Sequence, residues 1–402
     1  MSIFIAILGL ALLILIHEAG HFFASLAVGL RPRKFYVGFP PAVVRTRRKG
    51  IEYGIGAIPL GGFVSIPGMH RPIPHDAERR FSRAVSEAPE LTGALDRVKR
   101  SLEGDDLDAA LATIDDFEQG MGEQKLSPEA LASAEKGITE LRDGLGPDAY
   151  WKAPTWKRLV AIAAGPAANI ALAVVLLTVV FMTGPVKPSG TVASVIAGSP
   201  AAAAGLRPRD RVIAIDGVSV SGDEIGDRIA GSEGRPLVLT VVRDGRRVIL
   251  PPAAPELTDT GYRLGIVRKG VPLAPVDAFT QSLRWTGTIT REIGIAVGRL
   301  ARGEGRENVA SPIGIVRGSA DAVDQGAANY LLVLAFISLS LALLNLVPLL
   351  PLDGGHILFT LIEGARGRFV KREVYERVSV VGLALVLLLL FVGLSNDIGG
   401  LS

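Results

Sequence analysis

Four apolar runs stand out along the chain: Ile3–Val28, Leu159–Met182, Tyr330–Leu350 and Val378–Leu394. A helix needs about 20 apolar residues to cross a bilayer core, so each run predicts a span, the last with least to spare. The intervening segments follow other periods. Ala42–Thr46, Ile51–Ile55 and Ile58–Ile66, the last interrupted by Gly61 and Gly62, alternate apolar with polar or glycine residues. They predict a small sheet at the membrane face. Residues 87–145 repeat every three or four positions instead, with stripes Leu91, Leu95, Val98, Leu102, then Leu107, Leu111, Ile114, then Leu131, Ile138, Leu141, Leu145. Those stripes predict a helical bundle, with Ser127-Pro128 reading as a helix start. Short β-type runs (Gly190–Ile196, Arg211–Ile215, Leu237–Arg243, Arg246–Leu250) make 186–256 a soluble module. In 275–302, Phe279, Leu283, Ile289, Ile293, Val297 and Leu300 fall on one helical side, as in helices lying on a membrane surface or against that module.

Charge adds an orientation. Arg31, Arg33, Lys34, Arg45, Arg47, Arg48 and Lys49 follow the first run, and Arg366, Arg368, Lys371, Arg372 and Arg377 follow the third. Lys187 alone follows the second, and Asp321 and Asp324 precede the third. Basic flanks stay in the cytoplasm, so both termini are expected outside. The net charge of +3 conceals a segment, 76–146, with 17 acidic and 9 basic side chains, a net of −8 that leaves +11 elsewhere. Basic residues clustered beside apolar runs speak for a membrane protein and against nucleic-acid binding. The chain has no cysteine, which excludes disulfides and thiolate metal ligands; a metal must be held by histidine and carboxylate.

The chemistry-bearing stretch lies inside the first run. His17-Glu18-Ala19-Gly20-His21 reads H-E-x-x-H. On a helix, i and i+4 share a face, so the two imidazoles can grip one metal with Glu18 beside them as general base. Ionisable groups at membrane depth each cost roughly 2.5–3.5 kcal/mol, so a functional reading is the default. A catalytic zinc site usually has three protein ligands, and Asp353 is the best third. Pro348 and Pro351 break the third run, and Gly354-Gly355 allows a tight turn. At ~1.5 Å per residue, His17 and Asp353 lie at similar depth near the cytoplasmic leaflet.

These features together resemble the site-2 proteases: H-E-x-x-H in the first span, Gly165-Pro166-x-x-Asn169 in the second, and Asn345-x-x-Pro348 leading to Leu352-Asp353-Gly354 in the third. More narrowly, they resemble the bacterial RseP-like group. Arg209–Gly217, a strand followed by Asp216-Gly217, resembles a PDZ signature. The resemblance implies an intramembrane zinc metalloprotease, with Zn²⁺ on His17, His21 and Asp353, Glu18 as base, and Asn345, Asn169, Gly61 and Gly62 as candidate substrate contacts. Its fold class is a polytopic α-helical membrane protein of about four spans, with a small membrane-associated β region, a cytoplasmic acidic helical insert and an extracytoplasmic PDZ domain. The expected organisation is 1–30 first span, 31–70 β region, 71–150 insert, 151–185 second span, 186–256 PDZ domain, 257–325 linker with amphipathic helices, 326–362 third span, and 363–402 basic loop and fourth span. Implied partners are single-span membrane proteins such as anti-sigma factors, peptide C-termini at the PDZ domain, and the bilayer of a bacterial inner membrane. The competing readings are an inactive PDZ adaptor, which would need no general base, and a metal transporter, which would need more than one intramembrane cluster of ionisable groups.

Overall fold

The computed structural model describes residues 1–104, 106–184, 187–258 and 261–399; the expected junction at 185/186 and the last three residues lie outside these. Helix α1 (Ser2–Ala27) leads into a hairpin of β1 (Lys34–Arg48) and β2 (Ile51–Ser65). Helices α2 (Pro74–Glu87), α3 (Thr92–Glu103), α4 (Leu107–Gly122) and α5 (Pro128–Leu145) precede the long α6 (Thr155–Thr183). Next come β3 (Lys187–Val195), α7 (Pro200–Ala203), β4 (Arg211–Ile215), β5 (Val218–Ser219), α8 (Glu224–Ala230), β6 (Leu239–Arg243), β7 (Arg246–Ile249), β8 (Glu256–Thr258), β9 (Gly261–Arg263) and β10 (Ile266–Val271). Five helices close the chain: α9 (Pro275–Ala301), α10 (Pro312–Asp324), α11 (Ala327–Asn345), α12 (Asp353–Arg366) and α13 (Arg372–Gly399). Among the described residues, four helices are long and apolar enough to cross a membrane: Ser2–Ala27, Thr155–Thr183, Ala327–Asn345 and Arg372–Asp397.

One compact unit comprises Met1–Ala173, Ile289–Gln325 and Phe336–Ser402. Within it α1 turns its apolar side chains outward, with Phe4, Leu8, Leu12 and Phe23 exposed, and buries His17 and His21. That is the reverse of a water-soluble helix and suits a lipid surround. Gly20 brings α1 onto α6, where a Cβ would collide with the Ala164 carbonyl. The hairpin doubles back on itself: Lys34–Val37 are in register with Gly62–Ser65 and also with Glu52–Ile55. Helices α2 to α5 enclose their own core around stacked Phe81 and Phe117 rings, 4.1 Å apart. Arg33 holds this bundle to the base of the hairpin through Asp143 and Asp148, each at 2.8 Å. A buried ion pair, Arg158 to Glu363 at 2.7 Å, ties α6 to α12.

The other unit comprises Val174–Thr288 and Gly326–Ala335. Its sheet runs β10-β3-β4-β6-β7 around a core that includes Val212, Ile215, Leu239 and Val241. The sheet extends beyond residue 256, because β10 pairs with β3. The sequence of β10 alternates only weakly, so its partner across the sheet, rather than local pattern, specifies it. Residues 275–301 form one continuous helix rather than several.

Candidate metal centre

Helix α1 supplies the first two side chains. His17 and His21, one turn apart, meet with their Nε2 atoms 3.3 Å from each other. The third comes from the break between α11 and α12. Helix α11 ends at Asn345, and Asp353 opens α12. The two glycines that follow it are required by space. A Cβ on Gly354 would strike the Leu346 and Val347 carbonyls, and one on Gly355 would lie 2.5 Å from the Leu350 nitrogen. This packing turns the Asp353 carboxylate toward α1, with Oδ2 3.2 Å from His17 Nε2 and 3.3 Å from His21 Nε2.

Three acceptor atoms thus converge in a triangle with edges of 3.2 to 3.3 Å. Tetrahedral zinc with bonds of about 2.0–2.1 Å places its ligand atoms about 3.3–3.4 Å apart, so the triangle has the dimensions of one face of such a site. The hydrogen bonding points the same way. His21 Nδ1 lies 2.9 Å from the Ala161 carbonyl, which can only accept, so the proton sits on Nδ1 and Nε2 presents its lone pair. Pro166 lies inside α6 and has no N–H, which loosens that helix's own hold on carbonyls of the preceding turn. Asp353 Oδ2 is buried and makes no hydrogen bond of its own. Converging lone pairs beside an unsatisfied carboxylate oxygen are what a divalent cation would resolve. Among the described residues, His17, His21 and Asp353 are the one His/Cys/Asp/Glu group close enough to share a metal ion.

Two glycines shape the surroundings. A Cβ on Gly165 would fall on His21 Nε2 and lie 2.6 and 2.7 Å from Cε1 and Cδ2. A Cβ on Gly62 would fall on Glu18 Cγ and lie 3.2 Å from Cδ. The hairpin therefore reaches the carboxylate next to the metal ligands only because position 62 has no side chain. A cavity of about 530 Å³ joins these groups, with Glu18, Gly61, Gly62, Asn345 and His356 in its walls beside the three candidate ligands. Asn345 donates from Nδ2 to the Leu341 carbonyl at 3.0 Å. Asn169 is not in that wall. Its side chain is fully buried without a hydrogen-bond partner, and its backbone carbonyl accepts from Ser338 Oγ at 2.9 Å. The sequence flagged Gly165 and Gly62, but their need for bare backbone is visible only in three dimensions.

The chain is similar to known proteins over nearly its whole length. The model of "Peptidase family M50" matches residues 5–389. A "Putative zinc metalloprotease Atu1380" from Agrobacterium fabrum is 30% identical, over 98% of this chain and 95% of its own length. Proteins called "Zinc metalloprotease RasP" from Bacillus licheniformis and Geobacillus kaustophilus are 28% and 29% identical, each over 96% of this chain and 96% and 95% of their own.

Proposed function

The chain belongs to peptidase family M50 and is a zinc metalloprotease of the membrane, and from that premise we propose that His17, His21 and Asp353 hold the zinc and that Glu18 is the general base. The observation that carries this is the 3.2 to 3.3 Å triangle of Nε2, Nε2 and Oδ2. When bound, Zn²⁺ supplies Lewis acidity, lowering the pKa of a water to about 7 and polarising the scissile carbonyl. Glu18, in the same cavity wall as the ligands, takes a proton from the attacking water and passes it to the leaving amine. Nδ1 of His21 stays bonded to the Ala161 carbonyl and keeps the ring in its ligating tautomer. Asn345 orients the substrate carbonyl from the cavity wall.

A peptide bond within a helix has its carbonyl sequestered, so the substrate must be extended at the cut. The β1–β2 hairpin reaches Glu18 at Gly62 and would receive the substrate by strand addition. The substrates we infer are single-span membrane proteins, anti-sigma factors among them, in a bacterial inner membrane. Both termini then face outward and the centre lies near the cytoplasmic leaflet. The acidic bundle of 71–150 is cytoplasmic, and the 186–256 module acts as a PDZ domain outside, admitting trimmed substrates or holding their new C-termini. The test is reconstitution with a single-span substrate. Glu18→Gln is expected to keep stoichiometric zinc and lose cleavage, and His21→Ala to lose both. Retained cleavage in Glu18→Gln would refute the role of Glu18.

A further inference from the structure

A second cavity, of about 750 Å³, opens between the C-terminal end of α1 and the tip of the β1–β2 hairpin. Five cations line it: Arg31, Arg33, Arg47, Arg48 and Lys49. Arg33 is committed to Asp143 and Asp148. The other four are exposed and have no ion pair among the described residues. Glu52, on the adjoining stretch of β2, is already engaged by the Tyr36 hydroxyl and lies 3.8 Å from Lys34 Nζ. Arg47 also faces Glu52 across the hairpin and feels its charge, but one carboxylate already shared with Lys34 leaves the cleft with an excess of positive charge, which repels itself and calls for an anion.

The remaining wall is apolar, formed by Leu26, Ile51 and Tyr53. Tyr53 packs against Phe22 and Phe35, with ring centroids 6.0 and 6.3 Å away. Nearby apolar side chains face outward, with Phe23 66%, Val43 68% and Val44 61% exposed. The cleft stands where a membrane-spanning helix ends, so its cations sit at headgroup level while Phe23 and Leu26 continue into the acyl region. A soluble anion needs the cations and no apolar wall; a phospholipid uses both.

We propose that this cleft is a binding site for an anionic phospholipid, its phosphate held by Arg31, Arg47, Arg48 and Lys49 and an acyl chain lying along Leu26 and Phe23. The hairpin that forms the cleft at Ile51 also rests Gly62 on Glu18, so a bound lipid would pin the far end of the strand that reaches the active centre.

The test uses the full chain in detergent, titrated with phosphatidylglycerol, phosphatidylcholine or inorganic phosphate and read by native mass spectrometry. Phosphatidylglycerol is expected to bind at least about tenfold more tightly than phosphatidylcholine. The Arg31→Gln/Arg47→Gln/Arg48→Gln variant should bind it on the order of 100-fold more weakly, each cation at an anionic headgroup contributing roughly fivefold. The corresponding triple lysine variant should stay within a few-fold of wild type. If the triple glutamine variant fails to fold, Arg31→Gln and Arg47→Gln alone should each weaken binding about fivefold. Equal binding of the two lipids, or wild-type affinity in a folded triple glutamine variant, overturns the proposal. So does displacement by inorganic phosphate at matching affinity, which would mark a free-phosphate site, or by a glutamate-rich peptide, which would mark a site for acidic protein.

Discussion

Gly165→Ala puts the account of the metal centre under a direct steric test. Alanine favours a helix over glycine by up to about 1 kcal/mol, so the substitution does not weaken α6 by propensity. Its methyl, however, lands on His21 Nε2, with Cε1 at 2.6 Å. Restoring an ordinary 3.4 Å contact to Cε1 alone moves the ring about 0.8 Å. Coordination distances tolerate only about 0.2 Å, and Nδ1 is tethered to the Ala161 carbonyl at 2.9 Å, so the ring cannot slide and still ligate. Loss of ligand orientation alone typically costs 10–100-fold in metal affinity; here the ligand itself is displaced, so at least about 100-fold is expected. Chelator competition on the purified chain measures it, with zinc content read in parallel. A folded Gly165→Ala protein with wild-type zinc affinity would refute the seating of His21 on α6.

Gly62→Ala should act on the base and leave the metal alone. Displacing Glu18 on the order of 1 Å should lower kcat by about 10²-fold while zinc stays stoichiometric, and an unchanged kcat would contradict the contact. The half-buried His70 gives a pH signature: desolvation, with the charges of His356 and Arg372 adding to it, pushes its imidazole down to about 4. The unfolded chain takes up that proton near 6.5 and the folded chain does not, so His70's contribution is intact above 6.5. It is lost between 6.5 and 4, by a total of about 3 kcal/mol. The denaturation midpoint of His70→Gln should fall less steeply over that window than wild type; parallel curves would contradict the burial.

Much of the architecture was legible because lipid is an undemanding solvent for apolar side chains and a harsh one for the rest. The four apolar runs predicted the four helices that, among the described residues, are long and apolar enough to cross a membrane, and a polar pentad inside the first could not be read as ordinary packing. The proline and glycine break around Asp353 likewise marked where a helix had to end. What the sequence withheld was long-range fit. The pairing of Lys34–Val37 on both edges depends on segments distant in the chain, and no local period encodes it. The weakly alternating β10 is recruited by β3. The roles of Gly165 and Gly62 rest on which side chain occupies the space a methyl would fill. Asn169 shows the converse: the motif around it suggested substrate contact, yet the side chain is sealed away from the cavity, and motif spacing carries no information about which face of α6 looks inward.

The most direct test of the central claim is X-ray absorption at the zinc edge of the purified full chain. The account predicts one zinc per chain in a four-coordinate nitrogen and oxygen shell at about 2.0–2.1 Å, with two imidazoles and no sulfur, and loss of stoichiometric zinc in Asp353→Ala. A wild-type chain without stoichiometric zinc, or a folded Asp353→Ala chain that keeps stoichiometric zinc at wild-type affinity, would contradict it.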